Sequence, residues 1–110
     1  MIIGKEFKKH GTFFVSSPEH PLQIGIIIRK KGEKIAPHVH KTKTAEILHI
    51  ESGKVRINYY EGNKKTKSDI LKKGDTLVMP NMGHGLDFLK DSKIIEIKQG
   101  PYISNNKTYL

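Results

Sequence analysis

Pro37-His38-Val39-His40, with Glu46 a few residues on and His84 far downstream, are the side chains best suited to chemistry. His38 and His40 are two apart, so on a strand both imidazoles stand on one face. Glu46 opens the next apolar segment. If Leu48 and Ile50 of that segment face a core, Glu46 faces it too. An inward carboxylate is costly unless it is paired or bound to a metal. His84 follows a sharp bend, Pro80-Asn81-Met82-Gly83, and alternates in phase with Leu86 and Phe88. Three imidazoles and one carboxylate aimed at a common point make a ligand set for a borderline divalent metal, with positions left for water or substrate. The chain has no cysteine, so any metal must be held by histidine and carboxylate.

The elements that must position these groups read as strands. Short β-branched runs separated by Gly, Asn and Asp turns recur along the chain, and no segment carries a convincing helical period. Candidate strands cover residues 22–30, 36–41, 45–51, 54–60, 68–71, 76–80, 84–89 and 94–99. The first is nearly continuously apolar and is expected to be buried on both faces. The polar loop 41–44 joins the second strand to the third. In Lys54–Tyr60, Val55, Ile57 and Tyr59 alternate with Arg56, Asn58 and Tyr60, which are expected outside. Glu61-Gly62-Asn63-Lys64 is a hairpin turn. The segment 94–99 has two phases. The one with Ile95 and Ile97 in the core leaves Glu96 and Lys98 in solvent, and binary patterning favours it. On either phase a polar group, Gln99 or the Glu96–Lys98 pair, reaches the interior. His10, His20 and His49 fall outside the constellation, the first two in an irregular N-terminal region. The polar tail 103–110 is expected to pack at a sheet edge. The sum is about eight short antiparallel strands, an all-β closed or double-sheet jelly-roll barrel, which at 110 residues is expected to form one domain.

Glycines frame both histidine sites at fixed offsets, and here the sequence resembles the cupins. The first cupin motif reads Gly32, five residues, His38-Val39-His40, five residues, Glu46, six residues, Gly53. The second reads Gly74, five residues, Pro80, then Gly83 and His84. Together they occupy residues 32–88. The gap from His40 to Glu46 is one residue longer than the family pattern, and Phe88 stands where the family has Asn. The resemblance implies a double-stranded β-helix, with His38, His40, Glu46 and His84 as ligands of Fe, Mn, Zn or Ni. It also implies pairing through an outer sheet, with Ile47, His49 and Tyr60 as surface. Residues 95–102 are similar to a stretch in small bacterial cupins of cell-surface polysaccharide and sugar-nucleotide metabolism.

Composition narrows the function classes. The net charge of +9 invites a polyanion reading, but eighteen of the twenty basic residues are dispersed lysines. Arginine supplies the bidentate fork of specific nucleic-acid readers, and only Arg29 and Arg56 are present. Fifteen isoleucines beside the lysines point to compositional bias instead. No apolar run is long enough to span a membrane, and no secretory signal opens the chain, so a cytoplasmic protein is expected. The expected activity is that of a metal-dependent enzyme on a small polar substrate such as a sugar or sugar-nucleotide derivative, with isomerase- or epimerase-like chemistry. Glu46, Gln99 or Tyr59 would serve in catalysis. A non-haem Fe(II) dioxygenase shares the same ligand set, and a metal-bound sensor or binding module is the non-catalytic alternative. A homodimer is expected.

Overall fold

The computed structural model describes every residue except Lys43 and Asn105. The expectations for the loop 41–44 and the tail 103–110 therefore lie outside the described residues at those two positions. Ten strands are described: β1 Gly11–Phe14, β2 Leu22–Arg29, β3 Lys34–His40, β4 Glu46–Ser52, β5 Lys54–Glu61, β6 Lys64–Lys72, β7 Thr76–Met79, β8 Gly83–Phe88, β9 Ser92–Gln99 and β10 Lys107–Tyr109. They form two five-stranded antiparallel sheets, ordered β1-β2-β9-β4-β7 and β10-β3-β8-β5-β6. This is the expected all-β jelly roll.

The inner faces meet in an apolar core of Ile27, Leu48, Ile50, Val55, Ile57, Tyr59, Met79, Leu86, Phe88 and Ile94. The alternation that nominated Leu48, Ile50, Val55 and Ile57 from sequence is what builds it. Two corners where the chain crosses between the sheets close one end. Gly53, at φ +92°, turns β4 into β5, and a Cβ there would collide with Ser92 and Asp91. Ser92 Oγ accepts the Lys54 N–H at 3.1 Å and donates to the Lys90 carbonyl at 2.7 Å, tying β5 to the turn before β9.

Four expectations change. β1 and β10 add two strands to the expected eight. β1 pairs with β2 in what had read as an irregular N-terminal region, and β10 pairs with β3 at the expected sheet edge. β6 begins at Lys64 rather than at residue 68, so the lysine cluster 64–67 is strand, held by a ladder with β5 that shifts register once between Lys65 and Lys67. β2 is buried chiefly on its inner side, since Leu22 is exposed and Ile24 and Ile28 are only half-covered. Asn58 faces outward yet is buried, because its amide Nδ2 donates to Asp87 Oδ2 at 3.0 Å across the outer face of β8.

The phase of β9 is also reversed from the favoured one. Ile94 pairs with Ile50, Glu96 with Leu48 and Lys98 with Glu46, and those partners face the barrel interior. Ile95 and Ile97 therefore lie outside. They join Ile24, Ile26, Ile47 and Val78 in adjoining registers to make an apolar outer face on the first sheet. Hydrophobic-in patterning fails here because the outer face is itself apolar.

Candidate metal centre

Two strands, β3 and β8, deliver the histidines, and the local cause is a bulge. Ile35 pairs with Leu86, whereas His38 pairs with His84, so β3 holds one residue more than β8 between those rungs. Ile35 packs on the core. Three steps separate Ile35 from His38, so without the bulge simple alternation would put His38 and His40 on the opposite face from Ile35. Pro37, which has no N–H to lose from the ladder, sits in the irregular step. Gly85 lies across from it, where a Cβ would stand 3.1 Å from the Ile35 carbonyl oxygen and 3.2 Å from Pro37 Cα. The bulge thus turns both imidazoles into the barrel beside His84.

His38, His40 and His84 each offer a ring nitrogen, and the three atoms lie within 4.8 Å of one another. All three rings are buried, with His38 only 4% exposed. His38 Nδ1 donates to the Ala36 carbonyl at 2.8 Å, and His84 Nδ1 donates to the Met82 carbonyl at 2.9 Å. Each bond fixes the ring and its tautomer, leaving Nε2 with a lone pair facing the cluster, as metal-binding histidines require. Burial holds the His38 imidazole down from 6.5 to about 4, with the nearby His84, Lys107 and His40 charges adding to the effect and the Ala36 bond opposing it. His84 is lowered as well, again chiefly by burial. Both rings are therefore neutral, the form that ligates.

Glu46, 3% exposed, enters from the start of β4 as its phase with Leu48 and Ile50 requires. Its Oε1 is 2.7 Å from His40 Nε2 and 3.9 Å from His84 Nε2. Burial pushes this carboxyl up, but the contact with His40 and the His84, His40 and Lys98 charges outweigh it, so the net direction is down. Close as Glu46 Oε1 is, its approach to His40 Nε2 lacks hydrogen-bond geometry, so neither His40 nitrogen has a hydrogen-bond partner, and Glu46 Oε2 has none either. Buried polar atoms left this way need an explanation. A divalent ion among the three imidazoles and the Glu46 carboxylate would supply one, and it suits the donor set.

Sequence reasoning gave too little weight to Glu96 and Lys98. Both line an interior cavity of about 210 Å³ with His38, His84, Leu48 and Arg29. Lys98 Nζ stands 3.8 Å from Glu96 Oε1. Burial first, then the Glu46 charge, pushes the Glu96 carboxyl up, against the pull of Lys98. Two neighbouring carboxyls are thereby driven in opposite directions. Tyr59 is the cross-strand neighbour of His84, but its side chain packs in the core and burial together with Asp69 pushes its hydroxyl up to about 12. Gln99 is exposed at the end of β9, on the wall of a second pocket of about 380 Å³ that opens onto His40. His49 lies on the outer face, its Nδ1 2.8 Å from Thr76 Oγ1. Tyr60 belongs to the second sheet and so cannot share an outer surface with Ile47 and His49.

Two five-stranded sheets closing around an inward histidine cluster define the cupin fold, and the chain has it. It is similar to a cupin-2 domain containing protein from Shewanella frigidimarina (17% identity, 86% of this chain and 85% of that one, TM-score 0.67). It is similar also to KdgF from Halomonas sp. (22%, 80% and 77%, TM-score 0.66). A variant oxalate decarboxylase from B. subtilis aligns at 21% identity over 82% of this chain but only 24% of its own length, TM-score 0.69. No protein-family model matches the chain, and no curated protein matches it by sequence.

Proposed function

We propose that this barrel is a divalent-metal enzyme acting on a small polar substrate such as a sugar or sugar-nucleotide derivative, by isomerase- or epimerase-like proton movement. The observation that carries the reading is the pairing of the His38–His40–His84–Glu46 cluster with a second, differently poised carboxyl, Glu96, on the same cavity. Structural cores do not keep such a set for packing alone, since each buried ionisable group costs stability. In this reading His38, His40 and His84 hold the ion through Nε2, with Glu46 the fourth ligand or their ionised neighbour. When bound, the ion supplies Lewis-acid polarisation of a substrate oxygen. Glu96, with its proton affinity raised, carries the proton to and from substrate carbon or oxygen. Lys98 keeps Glu96 oriented. Leu48, Ile27 and Leu86 form the apolar wall of the cavity. That one structural neighbour is an oxalate decarboxylase lends support to an enzymatic role.

The apolar outer face of the first sheet, where Val78 is 68% exposed, supports pairing of two copies through that sheet. The test of the enzymatic reading is elemental analysis of the purified protein followed by assay of the metal-loaded form on sugars and sugar nucleotides. Stoichiometric metal with solvent-proton exchange into a sugar substrate is the expected result. Absence of bound metal after growth in supplemented medium would overturn it. Oxygen consumption strictly dependent on Fe(II) would overturn the isomerase chemistry in favour of a dioxygenase.

A further inference from the structure

The pocket of about 380 Å³ that opens onto His40 has an unusual charge balance. Among the described residues, three lysines line it, Lys41, Lys98 and Lys107, and no acidic side chain does. Its size suits a small-molecule site. Lys98 and Lys107 also line the interior cavity beside His38 and His84, so these two cations stand at the junction of the spaces. They arrive from opposite sheets. Lys98 projects from the inner face of β9 opposite Glu46, and Lys107 comes from β10 opposite His40. Lys98 is largely covered and has Glu96 as its partner, whereas Lys107 makes no ion pair among the described residues. Arg29 adds a third cation to the interior cavity. Lys98 faces two carboxyls, Glu96 and its cross-strand neighbour Glu46, whereas Lys107 and Arg29 bring positive charge to the same space with no ion pair of their own among the described residues, which is unfavourable in the free protein. A ligand that brings negative charge removes the imbalance.

We infer that Lys98 and Lys107 form an oxyanion subsite at the mouth of the barrel, selecting small hydroxylated molecules that carry a carboxylate or a phosphate. The anionic end sits between the two ammonium groups. Thr44, Gln99 and Tyr102 on the same wall supply hydrogen-bonding groups for hydroxyls. The remainder of the molecule extends towards His40 and the cavity behind it. This narrows the substrate class of the proposed enzyme and rests on that reading for its catalytic consequence, though the subsite itself needs no metal.

The test is calorimetric titration of the full chain, metal-free and zinc-loaded, with D-gluconate, glycerol 3-phosphate and neutral sorbitol. At least one anion is expected to bind the metal-free protein, more tightly than sorbitol by tenfold or more, with affinity falling as salt rises. The tighter of the two identifies carboxylate or phosphate as the recognised group. Lys98→Met and Lys107→Met are each expected to weaken anion binding by about tenfold, and Lys107→Arg to restore it. Equal binding of sorbitol, unchanged affinity in both methionine variants, or no anion binding to either form would overturn the inference. Zinc content is measured in parallel. Anion binding to protein that takes up no zinc leaves the subsite standing and the metal reading fallen, and zinc uptake without anion binding does the reverse.

Discussion

Acidifying the metal-free protein should expose the cost of keeping His38 neutral. In the unfolded chain this imidazole titrates near its ordinary 6.5, and in the folded barrel at about 4. Between those values the unfolded state binds more protons, so stability must fall as pH falls from 6.5 and level off below about 4. A tenfold change in proton affinity is worth about 1.36 kcal/mol, so the full interval sets a ceiling of about 3.4 kcal/mol. His38 borders a cavity that water can enter, which reduces the expected loss to about 2–3 kcal/mol. Urea unfolding of chelator-treated wild type and His38→Gln at steps from pH 7 to pH 4 isolates this residue, because the other titrating groups contribute to both proteins. The stability difference between the two should shift by about 2–3 kcal/mol across that range, in the direction that penalises wild type at low pH. A difference that stays constant with pH would refute the assignment of a buried, neutral His38. Adding zinc should raise wild-type stability at pH 7 by about 2.7 kcal/mol at a hundredfold excess over Kd, and should steepen the pH dependence because protons compete with the metal.

Three further outcomes are expected. His38→Ala and His84→Ala should each abolish metal binding while circular dichroism still reports the barrel, and full occupancy in either would remove that residue from the site. Glu96→Gln should keep the metal but lower turnover by about 10²–10⁴-fold, so a variant with wild-type turnover would exclude Glu96 as the proton carrier. Gly53→Ala should cost about 1–3 kcal/mol in urea unfolding, since the alanine must hold φ near +92° with its methyl driven against Ser92 and Asp91.

Much of this arrangement was legible in the residue order. Period-two alternation in β4, β5 and β8 placed Glu46, the core isoleucines and His84 correctly, because each of those strands has one apolar and one polar face. β9 resisted the same reasoning. Its consecutive Ile94 and Ile95 serve opposite sides, and the outward Ile95 and Ile97 contact other apolar residues on the sheet's exterior, so hydrophobicity alone selects the wrong phase. That error demoted Glu96 and Lys98 to solvent. β1 and β10 escaped notice because each is short and pairs along one edge only, with a register set by the strand it joins rather than by its own pattern. The lysine cluster opening β6 was hidden by composition, since exposed strand and turn carry the same polar residues.

The extra residue in β3 has a consequence for how such a barrel can change. Side-chain direction flips with each step along a strand, and three steps separate Ile35 from His38, so the two imidazoles reach the lumen because the bulge absorbs the odd step. Losing one residue there would leave Ile35 and His38 two steps apart in a regular ladder, still on one face beside Leu86 and His84. The bulge thus lets this step of β3 carry one residue more than its partner strand without moving the histidines out of the lumen. Chain length at Ala36-Pro37 can therefore change by one residue while Ile35 keeps its place on the core and His38 its place beside His84.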